Sequence, residues 1–189
     1  MISSVRWFLL AFLVTLSGAL GEPVVLTFPP REGEFTAENP AYLFFKEIRA
    51  TRMGNKKVSF EITLQGDIPH NIKQWVSYRI YFDVADFEVE DPLLKMEGFQ
   101  EDLYVCVAQR TAESNFTVST RDLMGYRSKL WQSSVTSLRA RKDKISFNVQ
   151  SDLFAEPKTQ IRMFIRSLVW RNKDYLRIDK SPIADLPTQ

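Results

Sequence analysis

Histidine and cysteine are nearly absent: the 189 residues contain one of each, His70 and Cys106. A single cysteine cannot close an internal disulfide, so the fold must rest on its core. A three-histidine zinc site is excluded within one chain, and Cys106 with His70 is too thin a basis for a metal centre. A Ser-His-Asp triad could use only His70, which follows Pro69 in a turn-rich loop, and no G-x-S-x-G elbow occurs. Cys106 lies in the apolar run Leu103 to Ala108, which reads as a central strand with a buried thiol acting as a small hydrophobe. Charge of one sign is also missing. The formal net charge is +2, or +1 once Arg6 is removed with the leader. The densest basic run, residues 139–144, reads as a solvated loop or hairpin, whereas nucleic-acid binding calls for a basic excess on one face.

Long apolar runs are absent beyond the N-terminus. Residues 7–16 (WFLLAFLVTL) follow one positive charge and precede the small residues Ala19 and Gly21. That pattern predicts a secretory signal cleaved after Gly21. Ten apolar residues are too few to cross about 30 Å of hydrocarbon as a helix. Residues 22–189 are therefore expected to form one soluble domain, secreted or periplasmic. The 168 residues left after removing 21 from 189 suffice for a sizeable core, about 70% of the unfolded surface being buried at that size.

What is present is a period of two. Val58, Phe60, Ile62 and Leu64 alternate with polar residues, as do Tyr78, Ile80, Phe82 and Val84. Ile145, Phe147 and Val149 repeat the pattern, and so do Ile161, Met163 and Ile165. Such alternation marks strands with one face on a core. Strands are expected at 24–28, 42–52, 57–64, 76–84, 102–108, 116–120, 130–139, 144–149 and 159–170. Turn formers separate them, at 53–56, 66–69, 97–99 and Asp143. Many short strands without helical patterns predict an all-β fold, a two-sheet antiparallel β-sandwich of jelly-roll or Ig-like type. One short helical turn is expected near 151–155, capped by Ser151 or Asp152. From about residue 179 a loosely attached tail is expected, because that stretch holds two prolines and little apolar content.

The strand "VSYRIYFDVAD" runs into an acidic cluster, Asp83, Asp86, Glu88, Glu90 and Asp91. A hard cation such as calcium takes six to eight oxygen ligands, so Asp83 and Asp86, with Asp102 from the next strand, are candidate metal ligands. The spacing is not that of an EF-hand, since Glu88 stands where the sharp-turn glycine belongs. The plainer reading is a strand end facing solvent, with its carboxylates paired to Arg79 or Lys95. Glu101 and Asp102 could meet the cluster at one edge, and two such carboxylates would serve a glycoside hydrolase. Trp75, Tyr81, Trp131 and Trp170 lie in or beside strands, and Tyr81 points away from the core by its parity. Exposed rings offer flat faces on which sugars stack. Arg162 and Arg166 share outward parity with Phe164 and Trp170; packing within the two layers or against the tail is the competing use of these rings. Asn115-Phe116-Thr117 fits the N-glycosylation pattern, which matters in a eukaryotic source.

In order along 41–185 come "NKKVSFEITLQGDIP", "VSYRIYFDVAD", "GFQEDLYVCVA", "KISFNVQSDLF" and "IDKSPIADLP". This succession resembles exported β-sandwiches of the DOMON and family 9 carbohydrate-binding-module type. The resemblance implies a two-sheet fold that binds sugars or, in some members, haem through methionine and histidine. Here His70 is in a loop and Met53, Met96, Met124 and Met163 do not align with axial positions, so haem is not expected. Sugar-binding members use a tryptophan clamp, onto which neither Trp75 nor Trp131 maps. The leading expectation is a non-catalytic binding domain for a carbohydrate or similar polar ligand, contacted by Arg79, Tyr81, Asp83 and Trp131. The alternatives are an envelope assembly protein that binds another protein by strand addition, for instance at an unpaired 159–170 edge, and a carboxylate-based hydrolase.

Overall fold

The computed structural model describes residues 22–31, 33–54, 56–70, 72, 75–84, 95–96, 99–100, 103–109, 117–122, 133–155, 161–171 and 174–186. Thirteen strands account for most of them: β1 (Val24–Thr27), β2 (Phe45–Arg52), β3 (Lys57–Leu64), β4 (Val76–Val84), β5 (Lys95–Met96), β6 (Phe99–Gln100), β7 (Leu103–Gln109), β8 (Thr117–Asp122), β9 (Ser133–Arg141), β10 (Lys144–Ser151), β11 (Ile161–Arg171), β12 (Asp174–Lys180) and β13 (Ala184–Leu186). One sheet runs β1-β2-β3-β10-β9 and the other β12-β11-β4-β7-β8, with β13 also on β11 and β5-β6 a separate ribbon. Every pairing is antiparallel. Short 3₁₀ turns occupy Ala41–Leu43 and Asp152–Ala155. The fold is the all-β, two-sheet sandwich expected from the alternation. Among the described residues no helix is long and apolar enough to cross a membrane.

The alternating residues meet where the two sheets face each other. Phe60 lies opposite Phe147 across β3 and β10, the rings stacked at 5.3 Å. Phe82 of the other sheet meets Phe60 edge-on at 5.9 Å and Phe154 at 5.2 Å. Ile48, Ile62, Ile80, Ile145, Met163 and Ile165 fill in around these rings. The Asp152–Ala155 turn is seated by the Arg52 guanidinium, which donates to the Phe154 carbonyl, and by Lys56 on Asp152 at 2.8 Å. Between β3 and β4, Gly66 passes so close to the first 3₁₀ turn that a Cβ there would sit 2.6 Å from that of Ala41; glycine alone permits this approach.

Tyr78 spans the layers, donating its hydroxyl to the Tyr42 carbonyl at 2.6 Å. Burial pushes its phenol well above the ordinary value near 10, with Tyr42 adding to the shift. An acid whose folded pKa is raised favours the neutral form. The stability it contributes is intact below pH 10 and falls as pH rises through 10, because the unfolded phenol ionises first. Urea melts should therefore show stability dropping above pH 10 by up to about 1.4 kcal/mol per pH unit from this group. Tyr78→Phe should flatten that decline, and an unchanged slope would refute the assignment.

Two expectations are corrected here. The segment from 179 is not a loose tail. Residues 174–180 pair with the end of β11 and residues 184–186 with its beginning. Between them Ser181 closes the gap, its N–H donating to Ile165 O and its hydroxyl accepting from Ile165 N. Asp179 points inward: its carboxylate accepts from Phe45 N (2.9 Å), Arg31 (3.1 Å) and Lys180 N (3.0 Å). Its own N–H donates to the Ser167 hydroxyl. A charged residue on the inner face, beside a register shift at Ser167/Leu168, breaks the hydrophobic pattern that would have announced a strand. Nor is 159–170 an edge. Over residues 161–171 it is flanked by β4 on one side and by β12 and β13 on the other.

Candidate functional site

The two sheets turn very different outer faces away from the core. On the first sheet, Ser59, Glu61, Ser146, Asn148 and Gln150 alternate with the buried residues. Lys144 reaches Glu61 at 3.0 Å across this face, and that carboxylate raises the lysine's pKa. Arg49 and Glu47 of β2 and Arg139 and Arg141 of β9 share this face, Arg49 pairing with Glu47 at 3.4 Å; exposed charges and ion pairs are what a solvated sheet face requires.

The second sheet presents Ser77, Arg79, Tyr81 and Asp83 from β4, directly opposite Leu168, Arg166, Phe164 and Arg162 of β11. Tyr81 and Phe164 stack with centroids 4.7 Å apart and planes 12° from parallel, forming an apolar pair separate from the main core. The Arg166 guanidinium lies over both rings, 4.6 Å from Phe164 and 5.4 Å from Tyr81. Lys180, opposite Arg166 on β12, brings its ammonium within 5.5 Å of Phe164. The negative ring faces attract these cations, each contact being worth about 0.5–2 kcal/mol according to its desolvation. Arg162 donates to Asp83. Tyr81 is 6% exposed, Arg166 4% and Asp83 2%, so large side chains are tucked away on a face where water would normally be met. Arg79, Arg162 and Lys180 are the more accessible members.

Of the residues expected to contact a ligand, Arg79, Tyr81 and Asp83 thus lie together on one face. Their surroundings differ from expectation. Tyr81 has the outward parity predicted, yet it is no open stacking platform, because Phe164 stacks on it and the ring is buried. Asp83 does not face solvent and pairs with Arg162; the side chain of Lys95 lies outside the described residues. Alternation reports which side of a sheet a residue takes and says nothing of what lies over that side. Trp131, Asp86, Glu101, Asp102 and Asn115 lie outside the described residues, as does the side chain of Cys106. His70 is exposed in its loop. Among the described residues no group of three or more His, Cys, Asp or Glu could hold a metal ion.

Lys180 was missed as a member of this face, since the expected tail began at 179. Three large residues at consecutive outward positions, Arg162, Phe164 and Arg166, were the available signal. A merely solvated face has no need of them. No family model, characterised protein or solved structure matches the chain; the fold and this face are what define it.

Proposed function

We propose that the chain is an exported, non-catalytic binding domain for a carbohydrate or similar polar ligand, engaged at the outer face of the β12-β11-β4-β7-β8 sheet. One observation carries this reading: the contrast between the two outer faces. Both faces carry cations, but on the first they stand exposed in solvent, while the second packs Arg79, Arg162, Arg166 and Lys180 around a buried, stacked Tyr81–Phe164 pair. Guanidinium forks offer directed donors to hydroxyl and carboxylate oxygens. The contact is polar: Arg79, Arg162 and Lys180 reach the ligand, and the Tyr81–Phe164–Arg166 stack keeps the strands beneath them rigid.

Asp83 is less suited to general acid–base work than its sequence position suggested, because it sits buried against Arg162. Strand addition also finds little purchase on the β12 edge. A register shift, the inward charge of Asp179, Lys180 and Pro182 all mark it, and these are the devices by which natural sheets discourage further pairing.

A glycan array followed by calorimetry on the strongest binder tests the proposal. Arg79→Gln should weaken binding about tenfold or more, the loss of a charge-assisted hydrogen bond worth about 1.5–3 kcal/mol. Its melting temperature should stay within a few degrees of the parent. Absence of binding across neutral and acidic glycans, or affinity unchanged in Arg79→Gln, would count against the reading.

A further inference from the structure

The corner where β9 turns into β10 carries a second surface, on the other sheet from the Tyr81–Phe164 face. Strand β9 pairs with β10 alone, and one register shift interrupts the pairing. Thr136 stands opposite Asn148 and Arg139 opposite Ser146, so Ser137 and Leu138 together face Phe147. Ser137 takes φ of 59° to do so, a left-handed conformation that costs a residue with a Cβ free energy. One extra residue exchanges the two sides of a strand from that point on. In unbroken register Arg139 would pair with the core residue Ile145 and stand with Arg141 on the inner side. The bulge turns Leu138 inward instead and sets both arginines outward, Arg141 opposite Lys144.

Across the middle of this outer face Lys144 meets Glu61 and Arg49 meets Glu47. Arg139, Arg141 and Lys142 are exposed and, among the described residues, join no ion pair. The turn that bears Lys142 is fixed from behind. Its carbonyl accepts from Ile68 N at 3.0 Å, and the Asp143 carbonyl accepts from Leu64 N at 2.8 Å.

Arg139 and Arg141 are alternate residues on one side of a strand, about 7 Å apart. That spacing addresses successive charges of an extended chain rather than one small anion. Guanidinium forks take anionic oxygens in pairs. Beyond the arginines the same side continues with Thr136, Ser146 and Asn148, hydroxyls and an amide that can donate to and accept from sugar hydroxyls. No aromatic ring lies on this side of β9 or β10 to stack a nucleic-acid base. No large apolar side chain is exposed there to enter a lipid. Guarding an edge strand calls for no such turn, since inward-pointing charges already serve it. We propose that the β9–β10 corner binds a linear anionic polysaccharide, its sulfate or carboxylate groups on Arg139, Arg141 and Lys142 and its hydroxyls along Thr136, Ser146 and Asn148. This site does not rest on the ligand face proposed above.

Calorimetry of the full chain with polygalacturonate and dextran sulfate, and with neutral dextran as control, tests the proposal. The parent should bind at least one polyanion and not dextran, more weakly as salt rises. R139Q/R141Q should bind that polyanion about tenfold or more weakly. K46Q/R49Q, which removes the same charge from β2, should lose less than about twofold. All four side chains are exposed, so both variants should melt close to the parent. No binding of either polyanion by the parent, or equal binding of dextran, would overturn the proposal. Equal losses in the two double variants would do so as well, reducing the effect to net charge. So would unchanged affinity in R139Q/R141Q, whatever its tendency to self-associate. Capture of phosphatidylserine vesicles with no binding to either polysaccharide would give the corner to a membrane surface instead.

Discussion

Asp179→Ala is expected to lower stability by about 3–5 kcal/mol, the range for removing one partner from a buried charged network. The reason lies in what the carboxylate holds. It accepts the N–H of Phe45, at the start of β2, and of Lys180, at the end of β12, and it pairs with Arg31. Its own side chain is almost fully buried while Arg31 is about one-third exposed. Most of the loss should therefore come from stranded backbone donors, since partly solvated ion pairs contribute about 1 kcal/mol or less. Arg31→Ala should accordingly cost far less than Asp179→Ala, and Asp179→Asn, which retains one acceptor, should fall between. For a domain of this size the alanine variant should melt on the order of 10 °C lower. Equal losses in Arg31→Ala and Asp179→Ala would mean that the ion pair dominates.

Phe60→Ala should be comparably damaging, at about 3–5 kcal/mol. Phe60 is one of the rings through which the sheets touch, stacked on Phe147 in its own sheet and edge-on to Phe82 in the other. Truncation leaves a void that neither neighbour can fill without pulling a strand inward. Phe60→Leu, which keeps most of the volume, should cost clearly less. Phe82→Ala removes the opposite wall of the same space, so the double variant should lose less than the sum of the two singles. Strict additivity in chemical denaturation would show that the rings do not share one packing unit.

How much of this was legible beforehand depends on what each residue had to report. Phe60, Ile62, Ile80 and Phe147 announced their strands because water lies on one side of each strand and oil on the other. β3 and β4 therefore emerge with the boundaries their alternation predicts. β12 was hidden because Asp179 spends a core-facing position on a carboxylate whose partners, Arg31 and Phe45 N, are more than 130 residues away in the chain. No local pattern records such a distant partner. Tyr81 and Asp83 show a subtler failure. Their parity was right and their exposure wrong, because the cross-strand neighbours Phe164 and Arg162 are supplied by a strand about 80 residues later. Their pairing fixes the face of the candidate site, and only strand order reveals it.

The binding of Asp179 to the first strands has a consequence for how the chain matures. Phe45 and Arg31 leave the ribosome more than 130 residues before Asp179 and must wait for it before their contacts close. β4 likewise waits for β11. Such sequence-distant closure slows folding, so both sheets stay incomplete until β11 and Asp179 have been made, and the earlier strands spend that interval without their partners.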